Sequence, residues 1–149
     1  MTYGTYIEYG TPAHIMPSWA YVMFDFDNHA LNTTVHCYIA STYPYNWFLD
    51  GKEWFNCSSA EYSPTRFRLE AQWLGSPTRL DIENRWRCWE DENTTTLFSG
   101  LAAFLPPLAC HAVGWRNPDW ELWQTHRSNK TLCNSVTVDV RPYEVKVIN

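Results

Sequence analysis

The sequence predicts an all-β protein, an antiparallel β-barrel or β-sandwich with at most one short helix. Three observations predict it. Several segments alternate strictly between apolar and polar residues, the period of a strand with one buried face. Aromatic residues make up 17% of the chain, with nine Trp and nine Tyr, and these favour pleated strands over helices. Turn signals recur about every 8 to 12 residues, as in antiparallel sandwiches and barrels.

The elements follow in order. Trp19 to Phe26 is apolar almost throughout, which suits a strand covered on both faces, and Thr34 to Ala40 and Lys52 to Cys57 are weaker strands. The clearest strand sets Phe67, Leu69, Ala71 and Trp73 against Arg66, Arg68, Glu70 and Gln72. Gly75-Ser76-Pro77 separates it from a second, in which Leu80, Ile82, Trp86 and Cys88 oppose Arg79, Asp81, Glu83, Arg85 and Arg87, so the two read as a hairpin. Ser99 to Leu105 is the one helical candidate, stopped by Pro106-Pro107. Val136, Val138 and Val140 alternate with Thr137, Asp139 and Arg141 in a terminal strand that Pro142 makes an edge or a bend. Trp19, Trp54, Trp73 and Trp86 fall on strands and read as core.

At 149 residues and 17.5 kDa, the chain has the length of a single domain, 1–149, and no repeat, low-complexity tract or linker divides it. It is 45% hydrophobic and only 18% charged, which excludes an extended disordered chain. A net charge of −5 argues against a nucleic-acid partner, whose phosphates require a basic surface. The most apolar stretch, Leu97 to Val113, is broken by Gly100 and Pro106-Pro107, so no membrane span is expected. The first twelve residues lack the basic and apolar regions of a signal peptide, which fits either a cytosolic chain or a mature form whose Met1 replaces a removed leader.

Five cysteines, Cys37, Cys57, Cys88, Cys110 and Cys133, show no zinc-type spacing, and no metal or cofactor is expected. Four glycosylation sequons begin at Asn32, Asn56, Asn93 and Asn129, where chance would supply about one or two. Cys57 stands inside the second of them, so a glycan and a disulfide would compete for space there. The excess favours a secreted glycoprotein with two disulfides and one leftover thiol; buried cytosolic thiols and chance sequons are the alternative. Five cysteines permit 15 two-bridge pairings, so counting alone does not choose among them.

From Val35 onward the order of features resembles the Alternaria major allergen family of small fungal secreted proteins. The matching segments are Thr34-Val35-His36-Cys37, then Asp50-Gly51-Lys52-Glu53-Trp54-Phe55-Asn56-Cys57. Phe67-Arg68-Leu69, Leu80-Asp81-Ile82, Pro107-Leu108-Ala109-Cys110 and Cys133 before a valine-rich strand complete the likeness. The resemblance implies an antiparallel β-barrel or sandwich closed by Cys37–Cys57 and Cys110–Cys133, and leaves Cys88 over, buried and inert on its strand face. Members include elicitors and effectors delivered to plants, so it also implies a secreted fungal effector or elicitor that acts by binding and induces defence or cell death. Its partner would be a plant host protein or a cell-wall component. One departure is plain: no cysteine precedes Cys37, so the N-terminal link of the family's covalent dimers has no counterpart here.

No catalytic signature is present, and the chain is not expected to be an enzyme. Two constellations remain. His36 opposes Cys37 on its strand and, placed beside Glu70 or Glu83 with Arg66 and Arg85, would make an acid–base ribonuclease site, although a solvated sheet face explains the same residues. Asp25 and Asp27 share a strand face and are spaced like paired glycosidase carboxylates, although Asp27-Asn28-His29 reads more simply as a turn. The strongest binding candidate is the polar, turn-rich stretch holding Trp115, Trp120 and Trp123, inside the loop that a Cys110–Cys133 bridge would close. Rings on a pinned loop lose little entropy on binding, which suits a host protein or, as in a carbohydrate-binding module or lectin, a wall polysaccharide. The bland alternative folds them over an open barrel end.

Overall fold

A computed structural model describes residues 1–29, 31–43, 48–58, 64–71, 77–89 and 95–148. Its ten strands are β1 (Thr2–Tyr9), β2 (Ser18–Asn28), β3 (Thr33–Tyr43), β4 (Phe55–Asn56), β5 (Thr65–Ala71), β6 (Pro77–Trp89), β7 (Thr95–Phe104), β8 (Cys110–Arg116), β9 (Arg127–Cys133) and β10 (Glu144–Ile148). They form two antiparallel five-stranded sheets, ordered β3-β2-β1-β9-β8 and β10-β7-β6-β5-β4. The protein is a sandwich, not a closed barrel, and no helix occurs among the described residues.

The core lies where β1, β2 and β3 cover β5 and β6. Tyr3, Ala20, Val22, Phe24, Val35 and Cys37 meet Phe67, Leu69, Leu80 and Ile82 there. Phe24 and Phe67 pack edge to face at 5.1 Å, a geometry that aligns ring edge with ring face. Each fully buried Phe or Leu contributes about 1.5–3 kcal/mol of apolar transfer, so this half holds the stability. Cys57, following β4, bonds to Cys37 of β3 and ties the sheets along one seam. Ser58 extends the seam by donating its N–H to the His36 carbonyl at 2.8 Å. The second disulfide, Cys110–Cys133, instead joins directly opposed residues of neighbouring strands in one sheet.

The β5–β6 hairpin is paired as its alternation predicts, with a bulge at Glu70/Ala71. Its outward face is a ladder of ions. Asp81, its side chain nearly enclosed, accepts from Arg68 and Arg79 at 2.6 and 2.7 Å. Glu83, equally enclosed, accepts from Arg66, from Arg85 at 2.8 Å and from the Ser99 hydroxyl at 3.0 Å. Burial pushes the Glu83 carboxyl up, but hydrogen bonds from Arg85, Arg66 and Ser99 outweigh it and hold it below the usual glutamate range. Trp54 caps the ladder with the Arg66 and Arg68 guanidinia over its ring.

Several expectations are corrected. The proposed helix at Ser99 to Leu105 falls largely within β7, where Ala102 and Phe104 pair with Ile82 and Leu80 of β6; tertiary pairing overrides the alanine-rich local preference. Trp19 is not core. Ala20, Val22 and Phe24 take the inward face of β2, so Trp19 stacks between Tyr6 and Tyr21 on the outside, and Met23 is exposed. β2 is therefore covered on one face only. Trp54 and Trp86 are half-buried, Trp86 lying on Phe98, while Trp73 lies outside the described residues. Cys88 is exposed rather than buried, because the end of β6 runs past the core. The valine-rich segment before Pro142 forms no strand and is a strap between β9 and β10, and the terminal strand is β10, after that proline. Lys52 to Cys57 contributes only Phe55–Asn56 as strand.

Candidate functional site

Residues Cys110 to Cys133 form a hairpin at the edge of the first sheet. β8 pairs with β9 from Cys110↔Cys133 at the disulfide to Arg116↔Arg127 at the far end. From His111 to Arg116 every residue of β8 is exposed, so both faces of this strand and its outer edge meet solvent. The closed end is thus covalent and the open end polar and aromatic.

The connection 117–126 is wired to itself. Asn117 accepts the Asp119 N–H at 3.1 Å and donates its side-chain amide to Gln124 Oε1 at 3.0 Å. The Gln124 N–H binds the Glu121 carbonyl at 3.2 Å, and the Asn117 N–H closes on the His126 carbonyl at 2.9 Å. His126 anchors the connection to the sheet by donating its N–H to the Tyr9 carbonyl at 2.7 Å, and Arg127 lies over the Tyr9 ring. Trp120 is the internal post: its indole N–H donates to the Gln124 carbonyl at 3.0 Å, and its ring meets His126 edge to face. These contacts fix the backbone before any ligand arrives.

The three candidate tryptophans therefore divide. Trp120 holds the loop, whereas Trp115 and Trp123 are displayed, Trp123 at 92% exposure with φ of 79°. A non-glycine residue in left-handed backbone costs about 1–3 kcal/mol and persists only where its surroundings impose it. Val113, on the same face of β8 as Trp115, and Leu122, beside Trp123 in the connection, are also exposed. Neither stood out in the sequence, because an isolated aliphatic in a polar stretch carries no period. The outer rings Tyr6, Trp19 and Tyr21 are unlike this group, since they spend their faces on one another.

The other constellations are not assembled as the sequence suggested. His36 projects from the outer face of the first sheet and pairs through Nδ1 with Asp25 of the neighbouring strand. Glu70 and Glu83 belong to the second sheet, and Arg66 and Arg85 are both committed to Glu83. Asp25 and Asp27 do share an exposed face within β2, but Asp27 accepts from the Thr34 hydroxyl at 2.7 Å. Among the described residues no cluster of His, Cys, Asp and Glu is arranged to hold a metal, and no helix is long and apolar enough to cross a membrane.

The sequons differ in access. Asn32 is exposed in the turn before β3 with φ of 49°, and Asn56 is exposed beside the bridged Cys57. Asn129 is half-buried in β9, and Asn93 lies outside the described residues. No family model, curated protein or solved structure matches this chain.

Proposed function

We propose that this is a secreted recognition protein of the fungal effector or elicitor type, which uses the β8–β9 hairpin to engage a plant host protein or cell-wall component. One observation carries the reading: Trp115 stands exposed on β8 and Trp123 on the connection braced by its own hydrogen bonds, in a hairpin closed by Cys110–Cys133. Rigid displayed indoles are effective binding anchors because little of their freedom is lost on contact. The two disulfides fit an oxidising compartment, and exposed Asn32 fits glycosylation.

The test is infiltration of the folded protein into leaves beside a reduced and heated sample. The folded sample alone is expected to evoke defence markers or cell death. Trp123→Ala and Trp115→Ala should lose that response with the thermal midpoint held, while Trp120→Ala should lose response and loop order together. Full response from both displayed-ring variants would overturn the assignment of the surface. A silent leaf with retention on chitin, cellulose or β-glucan, lost in Trp123→Ala, would select the second reading. That reading is a carbohydrate-binding module, favoured by the open face of the Trp123 ring.

A further inference from the structure

β2 is paired with β3 along its whole length, Ser18 to Asn28, but with β1 only from Trp19 to Met23. Beyond Met23 the lane that β1 occupied is empty of any strand among the described residues. The far wall of that lane continues β9. The Met1 N–H donates to the Val136 carbonyl at 2.7 Å, and the Val136 N–H returns to the Met1 carbonyl at 3.2 Å. Residues 136–141 then run on as the strap, and from 137 to 142 it forms no backbone bond to another described backbone group.

Between these walls lies a cleft of about 710 Å³. Its lining includes four consecutive residues of β2, 24–27, and six consecutive residues of the strap, 136–141. The cleft is bounded on one side by the β2 edge from Phe24 to Asp27, left unpaired where β1 ends, and on the other by the strap, which crosses to the second sheet where the Tyr143 N–H meets the Leu101 carbonyl. An added strand sits about 4.8 Å from its neighbour, and four residues of β2 offer an edge of about 14 Å. The floor is apolar, from Leu80, Ile82 and Phe104 of the second sheet. The rim is acidic, with Asp25 (paired with His36), Asp27 (bonded by Thr34) and Asp139 against Arg141 and His29.

We infer that this slot binds an extended peptide segment as an added strand, running antiparallel to β2 in the lane that β1 leaves. Its inward side chains are apolar and meet Leu80, Ile82 and Phe104; its outward side chains are basic and meet the acidic rim. Main-chain hydrogen bonds to the β2 edge supply affinity and the alternation supplies specificity. The site is separate from the hairpin surface and does not depend on it.

The test uses the full chain and a blocked hexapeptide alternating Val and Lys, read by amide hydrogen exchange. Exchange at those of residues 24–27 whose N–H faces the open lane should slow by about tenfold at saturation, and replacing Lys by Glu should weaken binding at least about tenfold. N-methylation of alternate amides should do the same, because it removes donors from one edge. The same six residues fused ahead of Met1 should protect the same amides at the high effective concentration of a tether. Ile82→Trp, or Phe104→Trp should the first variant fail to fold, should fill the floor and abolish binding. Absence of protection in the fused chain overturns the proposal. So does equal binding of the N-methylated peptide, or occupancy by an aliphatic amine that leaves these amides unprotected.

Discussion

The two disulfides close loops of nearly equal length, 20 and 23 residues, yet both cysteines of the first are buried in the core, whereas the second enters it through Cys133 alone and Cys110 only packs against it. Cys37–Cys57 stitches sheet to sheet inside the packed half, with both sulfurs buried among Phe and Leu side chains. Cys110–Cys133 secures a hairpin whose outer strand touches solvent on both faces. A cross-link in the first region adds to a core that already exists. In the second it fastens the base of an exposed hairpin to that core.

That contrast can be broken most directly by removing each bridge. Loop entropy alone assigns about 3 kcal/mol to either. Replacing Cys37 and Cys57 by Ala also deletes buried packing, so a loss of about 4 kcal/mol is expected in denaturant titration. Replacing Cys110 and Cys133 deletes less buried packing and should cost about 3 kcal/mol globally, with the fastest hydrogen exchange in β8 and its connection. Equal global losses would show that the packed surroundings add nothing.

The ion ladder sharpens the same comparison from the packed side. The folded carboxyl of Glu83 lies below its unfolded range, so its contribution is complete above the ordinary glutamate pKa and fades as pH falls through the folded value. Glu83→Gln should therefore cost about 1–2 kcal/mol at neutral pH. The gap from wild type should shrink progressively below about pH 4.3. A gap that stayed constant down to acid unfolding would mean that the charge contributes nothing beyond its hydrogen bonds.

The smallest expected effect belongs to the exposed half. Trp123→Gly relieves left-handed backbone at a ring that buries almost nothing, so stability should rise by about 1 kcal/mol while binding is lost. A fall in stability would reveal that the ring is structural.

What could be read in advance follows the same division. On β5 and β6 the charged outer residues and apolar inner ones separate cleanly, so strands, partners and facing were legible. On β2 both faces carry apolar side chains, so the strand was visible but its parity was not, and Trp19 was assigned inward when Ala20 and Val22 hold that side. β8 and β9 escaped notice as strands because an overhanging hairpin has no buried face to imprint a period on His111-Ala112-Val113-Gly114-Trp115. β1 was missed for another reason. Its inward set, Tyr3, Thr5, Ile7 and Tyr9, carries three hydroxyls, and Gly4 sits beneath the Tyr21 ring at a distance no Cβ would tolerate. The aromatic cluster was legible as residues. Its division into a bracing Trp120 and displayed Trp115 and Trp123 was not, since that depends on the turn that brings Gln124 and His126 under the indole.

The pairing of β1 with β9 has a kinetic consequence. Tyr3 lies opposite Cys133, whereas the β2–β3 and β5–β6–β7 pairings join segments that are neighbours in the chain. During synthesis β1 emerges long before β9, one of its two flanking partners. Closing so long a loop is entropically slow, so β1–β9 docking is expected to be the last step of folding. Until then one edge of β1 is available to any other nascent strand, and copies released before β9 docks are the ones most exposed to mispairing.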